Sequence, residues 1–286
     1  MVDHSAWVGR ERVDRYRLDP FPAAALAAAL GQERRPGTGE PLPPFWHHLY
    51  GHAPVDAART GRDGHPVRGD FLPPVSLARR MWAGGRLGFE GHLRIGEEVT
   101  RRSVVRRIEE KAGRSGPLVF VLVEHLIEGP SGRVVEEHDI VYRDMGKGAP
   151  SAAPPAAPSF EPDRSREWTP DEVLLFRYSA LTWNSHRIHY DLRYATGVEG
   201  YPGLIVHGPL LATFLFEHLR EAHEAGRLRR FGFRALQPVF VGETIRAEVK
   251  ARDGGGNWDL RIARADAGVA MQAWAEFGDD RAKGAA

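Results

Sequence analysis

Hydrophobic spacing divides the chain into two runs with the same order, a helix and then a series of strands. In the second run Leu210, Leu211, Phe214, Leu215, Leu219 and Ala222 recur at i, i+3, i+4 and i+7, which places apolar side chains on one helical face. Gly208 and Pro209 stand where a helix starts, so the spacing predicts a helix of about 17 residues, stopped by Gly226. Strand-like runs follow at Leu228–Leu236, Thr244–Arg252, Trp258–Ala265 and Val269–Phe277. Turns at 253–257 and 266–268 separate them, where Gly and Asn tolerate positive φ. An apolar helix followed by an antiparallel meander predicts a sheet wrapped around a helix.

The first run is a degraded copy. Pro22–Leu30 is alanine-rich, with Leu26 and Leu30 at i,i+4, and reads as a helix stopped by Gly31. From Gly31 to Gly91 the chain is so dense in Gly and Pro that no regular structure is expected. Strands are then expected at Gly91–Ser103, Val104–Lys111, Pro117–Glu128 and Gly132–Tyr142, the last two joined by a turn at Gly129–Gly132. Between the runs, Gly146 to Ser159 is mostly proline and small residues and reads as a linker. Beyond it, Glu172–Thr182 is apolar enough for a strand or a helix start. The divisions are thus 1–145, a linker at 146–160, and 161–286.

A length of 286 residues accommodates two domains, or one built of two similar halves. The absence of Cys excludes a disulfide framework, a thiolate nucleophile and Cys-ligated metal, and fits a reducing compartment. A net charge of +1 provides no global field to recruit nucleic acid or an anionic membrane. No stretch is long and apolar enough to span a bilayer, and the charged start lacks a signal-peptide core. The expectation is a soluble, cytoplasmic protein with neither nucleic acid nor membrane as partner.

Candidate chemistry concentrates between Arg177 and Leu211, just before the long helix. Asn184, His186 and His189 are closely spaced there, and Gly203 to Gly208 leads into the helix. An imidazole can move a proton near neutral pH, and backbone N–H groups at a helix start can stabilise negative charge on oxygen.

This spacing resembles the MaoC-like hot-dog hydratases and dehydratases of enoyl thioesters. That family pairs an Asp with a His; here Asn184 falls at the Asp position and His189 at the His position. Together with Pro41–His48, Gly69–Pro74, Met81–Arg86 and Asp139–Arg143, the motifs are similar to the subfamily of mesaconyl-C4-CoA, 3-methylfumaryl-CoA and itaconyl-CoA hydratases and mitochondrial-type 3-hydroxyacyl-thioester dehydratases. The similarity runs from about Pro41 to Gly278. It implies an α+β double hot-dog, with an N-terminal half shaping the acyl pocket and a C-terminal half bearing the reactive residues. It also implies reversible hydration of an acyl-CoA, a short branched dicarboxylic one first, with no cofactor or metal and a homodimeric assembly.

Within that resemblance His189 is the expected base, Asn184 orients water without exchanging protons, and the N–H groups around Gly208 meet the enolate oxygen. His207 is expected to line the substrate site, and His186 to hold the loop. Asp191 is a candidate to orient His189, since residues i and i+2 share a face in extended chain. Arg187 and Arg234 are candidates for CoA phosphates, Trp82 for the acyl wall and Arg86 for a substrate carboxylate. Arg187 and Arg234 each read equally as surface charge. The pairs His47–His48 and His186–His189 suggest metal, but no Glu or Cys at helical spacing completes a site. Rival readings are a dehydratase of longer fatty chains, a hot-dog thioesterase and a non-catalytic acyl-CoA binder.

Overall fold

The computed structural model describes residues 4–113, 116–144, 160–223, 227–252, 256–266 and 268–278. The linker expected at 146–159, residues 253–255 of the first turn, Ala267 of the second, and Gly226 lie outside them.

In chain order the elements are β1 (Glu11–Arg17), α1 (Pro20–Ala29), β2 (Arg79–Gly91), β3 (Glu98–Gly113), β4 (Gly116–Gly129), β5 (Gly132–Arg143), β6 (Arg164–Trp168), α2 (Glu172–Leu181), α3 (Leu192–Gly197), α4 (Gly208–Ala222), β7 (Arg227–Ala235), β8 (Ile245–Ala251), β9 (Asn257–Arg264) and β10 (Val269–Gly278). The strands form one sheet in the order β1-β3-β4-β5-β2-β7-β10-β9-β8-β6, antiparallel at every pairing. This order is symmetric about the seam, where Gly84–Gly88 of β2 pairs with Arg230–Arg234 of β7. The C-terminal half wraps β6, β8, β9 and β10 around α4, whose residues Leu210 to Leu219 are all buried. The result is the expected double hot-dog. Among the described residues no helix is long and apolar enough to cross a membrane.

The N-terminal half keeps the sheet but not the central helix. α1, capped by Asp19 Oδ1 accepting from Phe21 N at 2.8 Å, packs against α2, so it answers α2 and not α4. Between Leu30 and Ala78 the chain forms single 3-10 turns at Trp46–Leu49 and Ala57–Arg59. Side chains from this excursion cover the inner face instead. Phe45 and Trp46 join the main core, and Phe71, Leu72, Val75 and Leu77 pack on Val105, Val121 and Val123.

Three local expectations are corrected. The Gly/Pro-dense stretch is not irregular throughout, because its end forms β2. A Cβ on Gly84 would stand 2.5 Å from the Phe233 carbonyl oxygen, so a bare α-carbon is a requirement of the seam rather than a break in the strand. The strands expected at 91–103 and 104–111 are one strand, β3, preceded by a turn. The edge strands β1 and β6 escape the hydrophobic pattern because most of their side chains face water.

Replacing Gly84 by Val should force β2 and β7 apart. The expected cost is about 1–3 kcal/mol, a melting temperature lower by several degrees in differential scanning calorimetry. An unchanged melting temperature would contradict the close seam.

Candidate active site

The 184–191 motif begins where α2 ends. α2 is capped by Asp171 Oδ1 accepting from Leu174 N at 2.8 Å, and the chain leaves it through Trp183, which adopts a left-handed φ of 49°. Asn184 N donates to the Ser179 carbonyl at 2.8 Å, and Asn184 Oδ1 accepts from His186 N at 3.1 Å. With the carbonyl oxygen committed to the turn, the side chain offers its NH2 donors.

Arg187–His189 form a 3-10 turn that buries His189. His189 Nδ1 lies 2.7 Å from the Ile205 carbonyl oxygen. A carbonyl accepts and never donates, so Nδ1 carries the hydrogen and Nε2 keeps the lone pair. Burial pushes this imidazole down to about 4, so the ring is neutral and basic at Nε2 near pH 7. The ring stacks on His207 at 3.6 Å and 18°, and His207 is the residue before α4. His207 Nε2 in turn lies 2.8 Å from Ser179 Oγ, and the buried His207, expected to line the substrate site, lines neither of the two cavities that meet at Asn184. The lone-pair imidazole therefore stands at the amino end of the central helix. No side chain caps that end, and Pro209 has no N–H, so the donors there are the backbone N–H groups of Gly208 and Leu210.

The N-terminal half braces this loop. Gly64, at φ +90°, passes so close that a Cβ would fall 1.8 Å from the Ser185 carbonyl oxygen. Ser185 Oγ donates to the Gly64 carbonyl, and Arg187 N donates to the Asp63 carbonyl at 2.9 Å. The His65 ring lies 4.0 Å from the His186 ring, which is 5.5 Å from that of His189. His186 thus holds the loop, as expected of it, through ring contacts.

Two cavities meet at Asn184. The outer one, about 680 Å³, is apolar and lined by Val55, Pro66, Phe176, Trp183 and Tyr190. The inner one, about 330 Å³, runs under the N-terminal sheet past Tyr178, Trp82, His48, His125, His138, Glu136 and Arg101, with Pro209 at its wall.

Several expected residues stand elsewhere. Arg86 alternates with the buried Leu87 and points to the outer face, where Glu137 and Asp139 hold it at 2.6 and 2.7 Å. Arg234 pairs with Gly84 in register and lines a cleft on that same outer face with Arg86. Neither reaches the inner cavity. Asp191 does not orient His189, because the chain there is not extended. Its carboxylate accepts from Tyr194 N at 3.0 Å to cap α3 and pairs with Arg187 at 2.7 Å. Arg187, so paired and lying over the Tyr194 ring at 4.2 Å, faces neither cavity. Trp82 does line the inner cavity, its ring 5.2 Å from His48 and 4.2 Å from His138.

Opposite stand residues that sequence reasoning missed, together with His47 and His48, which it weighed only as a metal pair. His47, His48 and His138 place ring nitrogens 3.0, 2.7 and 3.0 Å from the Glu136 carboxylate. Burial alone would raise the Glu136 carboxyl, but His138, His48 and His47 hold it well below the usual range. On the inward side, His125 pairs with Glu136 across β4 and β5, and Ser103 with His125 across β3 and β4. The available signal was polar side chains at inward positions of strands, as Glu136 and His138 alternate inward between Val134 and Ile140. Two groups bring metal-ligand atoms together: His47, His48 and Glu136, and Asp63, His65 and His186. The carboxylates that sequence spacing did not supply thus come from distant segments. Separations of 2.7–3.1 Å are hydrogen-bond lengths, so imidazoles themselves partner the carboxylates.

A family profile described as hydroxyacyl-thioester dehydratase type 2 matches residues 45–241, a span that holds both cavities and the His189 loop. The chain belongs to that family. It is 42% identical to a mesaconyl-C(4)-CoA hydratase of Chloroflexus aurantiacus over 97% of its own length and 99% of the relative's. It is 29% identical to a mitochondrial member of the family from Schizosaccharomyces pombe over 72% of this chain and 76% of that one. The fold matches a MaoC-like dehydratase from Phytophthora capsici (TM-score 0.69, 16% identity, 95% of this chain and 97% of that one). It also matches HtdX of Mycobacterium tuberculosis (TM-score 0.67, 19% identity, 94% and 100%).

The buried imidazoles make this family member acid-sensitive. Burial pushes His48, His65 and His189 each down to about 4. Between about pH 6.5 and 4 the unfolded chain therefore binds protons that the folded chain refuses. Their stabilising contribution is complete above pH 6.5 and is lost as pH falls toward 4, on the order of 1–3 kcal/mol per group. Urea titrations at pH 7.5, 6 and 5 should show a falling midpoint, and a flat profile would contradict the burial of neutral rings.

Proposed function

We propose that the protein is a hydro-lyase that reversibly adds water across the double bond of an enoyl-CoA thioester, first among them a short branched dicarboxylic acyl-CoA like that named for the Chloroflexus relative. The observation that carries this is the His189 ring, fixed in one tautomer by the Ile205 carbonyl and stacked on the residue that opens α4.

In this reading the thioester lies where the two cavities meet, the acyl group inward and the pantetheine arm along the outer apolar cleft. The Asn184 NH2 donates to a water oxygen and His189 Nε2 takes a proton from that water. The oxygen bonds to the β-carbon, and the double-bond electrons move onto the thioester oxygen. That negative charge meets the backbone N–H of Gly208 and the positive end of the α4 dipole. The electron pair then returns to form a C–H bond at the α-carbon, taking its proton from His189 Nε2. Burial suits the ring to this return, because a desolvated imidazolium is a strong acid. One base serving both proton transfers places H and OH on the same face of the double bond. Asn184, lacking an exchangeable proton, fits this single-base route better than a two-residue one.

His189→Ala should abolish hydration, by about a thousandfold or more in kcat, with the melting temperature within a few degrees of the parent. Asn184→Ala should slow it by about ten- to a thousandfold. Loss of enoyl-thioester absorbance is the readout. Near-full activity in His189→Ala would overturn the mechanism, and release of free CoA thiol from the parent enzyme would identify a thioesterase instead.

A further inference from the structure

The inner face of a hot-dog sheet is normally apolar because a helix packs on it. In the N-terminal half that face carries a polar band. Arg101, Ser103, His125, Glu136 and His138 all sit at inward register positions of β3, β4 and β5, between apolar residues at either end. Such a band costs stability unless each buried polar group finds a partner. Two groups lining the cavity have none among the described residues: Arg101 Nε and Trp82 Nε1. Both are obligate donors, so what they lack is an acceptor. His48 Nδ1 is also buried and without a hydrogen bond, and His138 Nε2 meets only Glu136, at 3.0 Å.

We propose that this cavity is a carboxylate subsite that receives the far end of the acyl group, with Arg101 and Trp82 as its specificity-determining donors. The inference rests on the hydratase reading only in taking an acyl thioester as the ligand. One acidic side chain, Glu136, lines the cavity, and both it and the Asp14 that approaches Arg101 from β1 are already engaged. The Glu136 oxygens are met by His47, His48 and His138, and Asp14 lies on the Nη2 side of Arg101 at 2.9 Å. The Arg101 Nε–H and the indole N–H are left for an incoming anion, where a charge-assisted hydrogen bond is strong. Size agrees: at roughly 30 Å³ per heavy atom, the share of a water in the liquid, a cavity of about 330 Å³ takes on the order of ten atoms. That suits a short dicarboxylic acyl group. A long alkyl chain would exceed the space and leave the donors unpaired.

The test uses two saturated thioesters that cannot be hydrated and differ by one group. In methylsuccinyl-C4-CoA, the saturated form of mesaconyl-C4-CoA, a carboxylate stands where isovaleryl-CoA has a methyl. Calorimetry on the full chain should show the carboxylate ester binding at least tenfold tighter. Arg101→Gln should reduce that ratio to about threefold or less, and Trp82→Phe, which keeps the ring and deletes the donor, should reduce it several-fold. Because Arg101 also holds Asp14 and the Gly51 carbonyl, Trp82→Phe keeps the test valid if the first variant fails to fold. Equal affinities in the parent, or a ratio unmoved by Trp82→Phe, would overturn the subsite. Hydration of mesaconyl-C4-CoA and 3-methylcrotonyl-CoA is followed in parallel. Failure of both with the binding preference intact would overturn the hydratase reading and leave the subsite standing, whereas equal hydration of both would overturn the subsite.

Discussion

A sheet face withdrawn from water has to be covered, and this chain has one central helix for two half-sheets. The C-terminal half uses it, burying α4 from Leu210 to Leu219. The N-terminal half covers the corresponding face with an irregular excursion whose aromatic and branched side chains reach its two ends. The middle stays open. From that shortfall come the inner cavity, the polar band along its wall, and the position of the excursion itself, which ends up braced on the loop holding His189.

The His189 loop is organised by backbone carbonyls more than by side-chain partners. Ile205 fixes the hydrogen of His189 on Nδ1, and Ser179 sets the path of Asn184 through its N–H. His186 N consumes the Asn184 carbonyl oxygen. Extended-chain spacing, in which residues i and i+2 share a face, pointed to Asp191 as the orienting group. The backbone performs that role here, which leaves Asp191 free to cap α3 and hold Arg187.

Much of the fold was legible because strands facing a core alternate and α4 repeats with helical period. Strands β3–β5 and β7–β10 and the long helix follow from those two signals. What misled was glycine. At Gly84 it marks a close approach between two strands, yet composition alone reads it as a breaker. The candidate site was half legible: His189, Asn184 and the start of α4 are neighbours in sequence, so their spacing alone singled them out as candidates. Glu136, His138, His125 and Arg101 lie 46 to 88 positions before Asn184 or His189 and assemble across three strands. No local spacing reveals them, although polar side chains at inward strand positions were a visible anomaly. Arg86 and Arg234 were misplaced for the same reason, since their direction depends on a register that only the seam fixes.

The bare α-carbon at position 64 has a bearing on how this molecule can be divided. It lets a peptide from one half lie directly over a peptide from the other, so the imidazole belongs to one piece and its roof to the second. A fragment cut from the chain after β5 would carry the ring without its lid, or the lid without its ring. The half without a central helix is thus indispensable by another route, since neither piece alone would enclose the ring.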